Sequence, residues 1–287
     1  MTDLPPLPFG PEWSATHRRG TDAELRGWVD LALASCDEAD RIALGHLRTG
    51  LEVDRKGDGT LVTQADRAIE RVLRERITAA HPHHGLVGEE YGPEAADASV
   101  RWYLDPIDGT HNFVRGIPVF ATLIGVERDG ELQAGVVSAP ALGRRWYAWR
   151  GGGAWMTTRD STGGSATPAR LHTSTVAQVS DASIVFGSTR ALVEAGLWDG
   201  LAGLIGRAWR DRGFGDFWGH ALVAEGRAEA MVEVGLKSVD VAALLVLVEE
   251  AGGRLTDLQG RRGVNAEEVV ATNGVLHREL LEAVARR

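Results

Sequence analysis

The chain has 287 residues, of which 44% are hydrophobic and 25% charged, so it is long enough for one large globular unit or two closely joined halves. A net charge of −9 at pH 7 argues against nucleic acid as a partner. No apolar run approaches the roughly 18 residues of a membrane helix, and the first residues lack the features of a signal peptide. We therefore expect a cytoplasmic protein with no membrane partner. The single cysteine, Cys36, excludes disulfides within the chain and is expected to be a buried small residue.

Prolines mark residues 1–20 as an extended N-terminal arm. Apolar residues then recur at helical spacing over 25–43 and again over 65–80, which predicts two helices. Short strand-like runs follow one another over 85–150, and the Asp-Gly pair at 129–130 is typical of a hairpin turn. This half of the chain is predicted to form a sheet packed against two helices.

A polar segment rich in Gly, Ser and Thr, residues 157–169, is the most linker-like part of the interior. It predicts a boundary between an N-terminal α+β subdomain, 21–160, and a C-terminal α/β subdomain, 161–287. The second subdomain alternates strand-like runs with helical ones, among them "FWGHALVAEG" and the strongly apolar "VDVAALLVLVEEAGG". Its last residues predict a strand and a closing amphipathic helix.

The segment "RWYLDPIDGTHNF" places two aspartates directly behind a run of aromatic and aliphatic residues. Residues 102–104 are predicted to be a buried strand, and Pro106 is predicted to begin a turn. Asp105 and Asp108 then lie close together at the edge of the sheet. Two carboxylates at such a distance repel each other unless a proton or a cation lies between them.

The residues after these carboxylates suit an anion. Gly109 and Thr110 are predicted to open a helix, and backbone amides at a helix start can hold phosphate oxygens. Carboxylates are hard oxygen ligands for magnesium, so the segment predicts a site for a phosphate ester held by a metal ion. The alternative is that Asp105 and Asp108 only cap a turn, since Asp, Pro and Gly are common turn residues.

Acidic residues elsewhere in the chain strengthen the metal interpretation. Glu89 and Glu90 end a short strand-like run, where they would need solvent or a cation. Asp66 lies three residues after Thr63 in a pattern that also matches a helix capping box. Asp240 begins an almost wholly apolar helix, where it could be only a favourable N-terminal charge. Four such separate caps in one chain are a less economical explanation than one shared site.

The ordered set "VTQAD", "GEE", "DPIDGTHNF" and "VDVAA" followed by "EEAGG" resembles the inositol monophosphatase family of magnesium-dependent, lithium-sensitive phosphatases. The resemblance runs from about residue 21 to the end of the chain. It implies an α/β fold, a layered αβαβα sandwich, with the metal site between the subdomains. It also implies a homodimer that hydrolyses a small phosphate ester.

Applied residue by residue, the resemblance implies two or three magnesium ions per site, with ligands from Glu89, Asp105, Asp108, Asp240 and the carbonyl of Ile107. It implies that Asp66, Glu89 and Thr110 are catalytic, with Asp66 and Thr110 orienting a metal-bound water. The amides of Gly109 and Thr110 would hold the phosphate, and Asp240 would contribute to substrate binding.

One position departs from the family pattern. The family commonly has Trp-Asp where this chain has Val239-Asp240. The aspartate remains, so the implied metal role is unchanged, but an aromatic wall beside it is not expected.

Within the family, the second half of the chain most resembles the histidinol-phosphate phosphatases, especially at "GDFWGH". Histidinol phosphate carries an ammonium and an imidazole, and Asp216 and Glu233 are additional carboxylates that could pair with these two groups. Phe217 or Trp218 could stack on the imidazole ring. The alternative is that Asp216 caps a helix and Glu233 is a solvated strand end.

Three other functions are weighed against this one. The first is an inositol 1-phosphate phosphatase, or another small sugar or nucleotide phosphatase of the same family. The second is an aspartyl-phosphate phosphatase, whose D-x-D-G-T motif superficially resembles "DPIDGT" but has one residue between the aspartates. The third, a non-enzymatic metal-dependent regulatory protein, is disfavoured because Asp66 and Thr110, which suit water activation, are both present.

Overall fold

The computed structural model describes residues 16–49, 53–55, 57, 61–158 and 167–284. Most of the predicted N-terminal arm and most of the predicted linker, residues 159–166, therefore lie outside the described residues. In chain order the first part contains α1 (Asp22–Thr49), β1 (Val53–Arg55), β2 (Leu61–Thr63), α2 (Gln64–Ala80), β3 (Gly85–Gly88), β4 (Gly92–Glu94), β5 (Val100–Asp108), α3 (Thr110–Val114), β6 (Ala121–Arg128), β7 (Glu131–Ala139), β8 (Arg144–Trp149), β9 (Gly153–Thr158) and β10 (Ala169–Arg170).

The second part continues with β11 (Ser183–Phe186), α4 (Thr189–Glu194), α5 (Trp198–Ile205), β12 (Arg210–Arg212), α6 (Asp216–Ala224), β13 (Ala230–Val234), α7 (Ser238–Glu250), β14 (Arg254–Asp257), β15 (Glu268–Thr272) and α8 (His277–Val284). No helix of the described residues combines the length and the apolar character that crossing a bilayer requires.

An eight-stranded sheet forms the first half, in the order β10-β9-β8-β7-β6-β5-β3-β4. Its strands pair antiparallel except for β3 and β5, which are parallel. Asp129 and Gly130 join β6 to β7 with positive φ angles of 50° and 80°, the backbone that a tight hairpin turn needs. The apolar stripes of α1 and α2 pack on one face of this sheet, and Cys36 is fully buried in that layer, as predicted.

The other face of the large sheet is covered by α6 and α7. Beyond these helices lies a five-stranded sheet in the order β12-β11-β13-β15-β14. Its far face packs against α4, α5 and α8. The layers therefore alternate helix, sheet, helix, sheet and helix, which confirms the predicted αβαβα sandwich. Because α7 lies between two sheets, it is apolar on every side instead of along one stripe.

Two features differ from the sequence-based expectations. Strand β5 does not end at residue 104 but continues to Asp108, with a shift of register against β6 between Asp105 and Asp108. The short strand β10, which begins at the last residue of the predicted linker, pairs with β9 in the first sheet. The division into subdomains at 160 and 161 remains a prediction.

Glycines allow α7 to lie directly against the large sheet. A Cβ atom on Gly125 would lie 2.5 Å from the Cβ of Ala242, and one on Gly135 would lie 2.4 Å from the carbonyl oxygen of Ala243. Side chains at these two strand positions would push α7 away from the sheet. The close contact matters for the site because α7 begins with the turn that contains Asp240.

We expect Gly135→Ala to lower the free energy of unfolding by about 1–3 kcal/mol, since the added methyl group overpacks the interface between β7 and α7. Urea denaturation measures this change. The matched control is Gly27→Ala on α1, where an added Cβ meets no atom within 4 Å. That substitution should raise stability by about 0.5–1 kcal/mol because alanine favours a helix. Equal stability of Gly135→Ala and the wild type would contradict the packing argument.

Candidate active site

A cavity of about 590 Å³ opens where the end of β5, the start of α6 and the start of α7 meet. Nearly all of the site residues predicted from the sequence line it: Glu89, Asp105, Ile107, Asp108, Gly109, Thr110, Asp216, Glu233 and Asp240. Asp66 is fully buried and is not among the residues that line the cavity. Residues from both halves of the sequence thus surround one space.

The irregular end of β5 shapes one wall of the cavity. Asp105 is still paired with β6, after which the backbone departs from the regular ladder. The carbonyl of Pro106 accepts a hydrogen bond from Thr122 Oγ1 at 2.8 Å, and the carbonyl of Ile107 accepts one from Thr110 Oγ1 at 2.9 Å. Gly109 then adopts φ +80°, which glycine tolerates, and turns the chain into α3. The predicted turn is therefore a strand irregularity followed by a left-handed glycine.

Burial and mutual repulsion raise the pKa values of the carboxyl groups on this wall. Loss of solvation is the largest cause at Asp105, followed by the charges of Glu89 and Asp108. The pKa of Asp108 is also raised well above its usual range, by burial and then by Asp216. Burial raises the pKa of Asp240 to about 7. Each group would be more easily ionised if a cation lay in the cavity.

Asp66 combines a structural role with an unsatisfied oxygen. Its Oδ2 accepts hydrogen bonds from the backbone N and the hydroxyl of Thr63 at 2.8 and 2.5 Å, so the capping box predicted as an alternative is present. Its Oδ1 is buried and has no hydrogen-bond partner. Burial raises its pKa to about 6. The hydroxyl of Thr110 is bonded to Ile107, so no bond joins Asp66 to Thr110 directly.

The first turn of α7 contributes a carboxylate and an ammonium group. Asp240 Oδ2 accepts a hydrogen bond from the backbone N of Lys237 at 2.8 Å. The Lys237 ammonium lies 3.1 Å from Glu89 Oε1, which joins α7 to the residues after β3. The sequence reasoning did not identify Lys237, although it lies in the quoted segment "GLKSVD".

A second acidic wall is built from the start of α6 and from β13. Glu233 is only 7% exposed; its Oε1 accepts a hydrogen bond from the backbone N of Asp216 at 2.8 Å, and its Oε2 lies 3.0 Å from His220 Nε2. Asp216 Oδ2 accepts a hydrogen bond from Asn112 Nδ2 at 3.0 Å. The helix cap of α6 is Gly215, with no side-chain cap bond. The interpretation of Asp216 as a cap and of Glu233 as a solvated strand end is therefore wrong.

These contacts tie the two walls together. The backbone N of Phe217 donates to Asp108 Oδ2 at 2.7 Å, and Asn112 follows the "DPIDG" segment in sequence. Asp216 itself has φ +56°, an uncommon conformation for a residue with a side chain. Its bonds to Glu233 and Asn112 hold it there, and burial followed by the charge of Glu233 raises its pKa to about 6.

The aromatic residues do not all lie where the sequence suggested. Phe217 is fully buried against Trp146, with ring centroids 6.0 Å apart, so its ring is not available to stack on a ligand. Trp218 does line the cavity, beside Phe214 at 4.7 Å between ring centroids. Val239 is 3% exposed and packs in the hydrophobic core between the large sheet and helices α6 and α7.

The cavity fits a cation better than it fits an uncharged group. Within the described ranges, no three acidic, histidine or cysteine side chains are arranged so that they could hold a metal ion as they stand. However, Asp105 Oδ1 is buried without a hydrogen-bond partner, as is Asp66 Oδ1. Buried oxygens of this kind are costly unless a ligand satisfies them. The glutamate and aspartate side chains around Asp105 supply the hard oxygen atoms that magnesium prefers.

Comparison with known proteins gives the family. The model of the inositol monophosphatase family matches residues 24–287. A histidinol-phosphatase from Mycobacterium tuberculosis is 45% identical over 88% of this chain and 95% of its own length. An inositol-1-monophosphatase from Mesorhizobium japonicum is 36% identical over 82% of this chain and 87% of its own.

Among solved structures, the extragenic suppressor protein suhB from Bartonella henselae superposes with a TM-score of 0.80 at 28% identity, covering 91% of this chain and 99% of that one. The structural match covers 91% of this chain, and the family model matches residues 24–287. This chain belongs to the inositol monophosphatase family and is a phosphatase.

Proposed function

We propose that this protein hydrolyses L-histidinol phosphate to L-histidinol and phosphate with the help of magnesium, as a step of histidine biosynthesis. The observation that supports it best is the second acidic wall, in which Asp216 and Glu233 are held in place in the same cavity as Asp105 and Asp108. A substrate with a phosphate at one end and an ammonium near the other suits a cavity with these two walls. The histidinol-phosphatase relative, at 45% identity, supports the same substrate.

The metal ligands of this proposal are Glu89, Asp105, Asp108, Asp240 and the carbonyl of Ile107, all of which line the cavity. Bound magnesium would supply positive charge to the phosphate group and lower the pKa of a water molecule. The number of ions, two or three, remains a prediction of the family resemblance. So does the homodimer, while the cytoplasmic location remains a prediction from the sequence features.

The protein's own groups would orient the reactants. Gly109 and Thr110 line the cavity next to the two aspartates, where their amides would hold phosphate oxygens. The Thr110 hydroxyl and Asp66 would orient the attacking water. Asp66 retains one unpartnered oxygen for this purpose, although it is not among the residues that line the cavity. A covalent phosphoenzyme is not expected, because two residues separate the aspartates of "DPIDG".

At the other end of the substrate, Glu233 is fixed by two bonds, one from the Asp216 backbone and one involving His220. A carboxylate that is already oriented loses little entropy when it pairs with an ammonium. Trp218 is the aromatic residue of "GDFWGH" that lines the cavity, so it takes the proposed stacking role that the burial of Phe217 rules out.

Hydrolysis of inositol 1-phosphate is the second candidate. It is favoured by the inositol-1-monophosphatase relative at 36% identity over 82% of this chain. A neutral polyol would leave the buried carboxylates of the second wall without a cationic partner, which costs binding energy. The two candidates therefore differ in the role of Asp216 and Glu233.

The buried carboxyl groups near the proposed metal site should make the stability of the metal-free protein depend on pH. Raised pKa values in the folded state mean that stability is highest below the unfolded pKa values and is lost as pH rises through the folded ones. The pKa of Asp66 is about 6 and that of Asp240 is about 7. The melting temperature of the metal-free protein should therefore fall as the pH rises from about 4 to about 7. Saturating magnesium should weaken that fall.

Asp105→Asn should therefore raise the melting temperature in the presence of a chelator, abolish the stabilisation by magnesium and reduce turnover by several orders of magnitude. Thermal unfolding and a phosphate-release assay measure these effects. Asp97→Asn, at an exposed loop position, is the matched control and should leave all three unchanged. A variant that keeps both the magnesium response and near-normal turnover would overturn the metal assignment.

The wild type should hydrolyse L-histidinol phosphate with a higher kcat/KM than inositol 1-phosphate. Glu233→Gln and Asp216→Asn should reduce the ratio of the two efficiencies about tenfold or more, because each removes a charge that would pair with the ammonium. Glu194→Gln, an exposed position paired with Arg190, is the control. A wild-type ratio that favours inositol 1-phosphate, or variants with an unchanged ratio, would support the second candidate instead.

Thr110→Ala should lower kcat by roughly 100-fold or more while KM changes little, because the lost hydroxyl would act mainly in the transition state. Thr110→Ser keeps the hydroxyl and should retain most of the turnover. Steady-state kinetics with L-histidinol phosphate separate the two parameters. If KM alone increased, Thr110 would be a binding residue and its role toward water would be wrong.

A further inference from the structure

Lys237 is unusual both in the sequence and in the cavity. The chain has 31 lysine and arginine residues, and only two of them, Lys56 and Lys237, are lysines. Of the described residues that line the cavity, Lys237 is the one lysine or arginine. It shares that cavity with six acidic residues: Glu89, Asp105, Asp108, Asp216, Glu233 and Asp240.

The Lys237 side chain contacts a proposed metal ligand. Its ammonium lies 3.1 Å from Glu89 Oε1, while its backbone N donates to Asp240 Oδ2 at 2.8 Å. The residue is the N-cap of α7, so its backbone is fixed to the turn that holds Asp240. Only the flexible stem of the side chain decides whether the charge lies against Glu89 or points elsewhere.

A lysine suits a reversible contact better than an arginine does. An ammonium is compact and strongly hydrated, and it makes no two-pronged bond with a carboxylate. The Lys237 side chain is 44% exposed, so the ammonium can leave Glu89 for water at little cost in solvation. Buried ion pairs elsewhere in the described residues use arginine, as in the pair of Arg150 with Glu249.

We propose that Lys237 is a tethered cation that competes with a metal ion for Glu89. In the metal-free protein the ammonium offsets part of the repulsion among the carboxylates. When a metal ion binds, the two positive charges repel, and the side chain moves away from Glu89 into solvent. Lys237 therefore stabilises the metal-free protein and weakens metal binding. This inference rests on the metal site of the proposed function.

Isothermal titration calorimetry with magnesium chloride, on protein stripped of metal, tests the competition directly. We expect Lys237→Gln to bind magnesium about twofold to tenfold more tightly than the wild type, because it removes one nearby positive charge from a partly exposed site. Lys237→Arg keeps the charge and should bind magnesium nearly as the wild type does. Arg207→Gln makes the same change in net charge at an exposed pair with Glu279, outside the cavity, and should leave the affinity unchanged.

Thermal unfolding provides a second readout that does not depend on activity. In the presence of a chelator, Lys237→Gln should melt at a lower temperature than the wild type, and saturating magnesium should raise its melting temperature by a larger amount. Raising the salt concentration should reduce the difference in magnesium affinity between Lys237→Gln and the wild type, since the effect is electrostatic.

The outcomes separate this inference from the proposed function. If the wild type binds magnesium and hydrolyses phosphate esters, but Lys237→Gln binds magnesium with equal affinity, the competition is overturned alone. Weaker binding by Lys237→Gln would also overturn it, because the lysine would then support the metal site. If the wild type itself binds no magnesium and shows no hydrolysis, the proposed function fails, and the inference fails with it.

Discussion

Carboxylates held close together away from water repel one another, and the free-energy cost of keeping them ionised rises with each carboxylate added to the group. Asp105 and Asp108 are both buried at the end of β5, and the neighbouring charges of Glu89, Asp216 and Asp240 raise their pKa values further. Such a site is stable only if protons, a lysine or metal ions balance the charge. This constraint connects the fold, the proposed metal and the proposed competition by Lys237.

The scaffold has to hold these groups against their repulsion. Helix α7 lies between two sheets and reaches the large sheet closely at Gly125 and Gly135. At its other end, Glu249 accepts hydrogen bonds from Arg150 of the first half and from Arg262, and Arg262 also pairs with Glu131. A helix fixed along its length and at its C-terminal end can present Asp240 at its N-terminal end without yielding to the charge there.

The second acidic wall is held by hydrogen bonds instead of packing alone. Asn112 reaches Asp216, and the backbone of Phe217 reaches Asp108, so the start of α6 is bonded directly to the segment after β5. A substitution in one wall would therefore also disturb the other. This coupling is why neutral isosteres such as Glu233→Gln, which keep the shape of the side chain, are the informative changes.

The sequence motifs, through the family resemblance they carry, implied the αβαβα layering and all six acidic residues that line the cavity. Helical spacing in α1 and α2 reports burial on one side, and ordered motifs such as "DPIDGTHNF" report residues whose chemistry depends on their near neighbours. For Asp66, local spacing predicted the capping box correctly, because that interaction spans only three residues. Helical spacing and capping boxes can be predicted from the sequence because each depends on residues only a few positions apart.

Contacts between residues far apart in the chain could be identified only in the folded structure. The bond from Lys237 to Glu89 spans 148 positions, and that from Asn112 to Asp216 spans 104. Neither Lys237 nor Asn112 was predicted as a site residue, because a side chain's partner across the fold depends on how layers pack and not on local spacing. The position of the Phe217 ring was also not predicted correctly. Its neighbours in sequence suggested a ring beside the ligand, but on α6 the side chain faces the core and packs against Trp146.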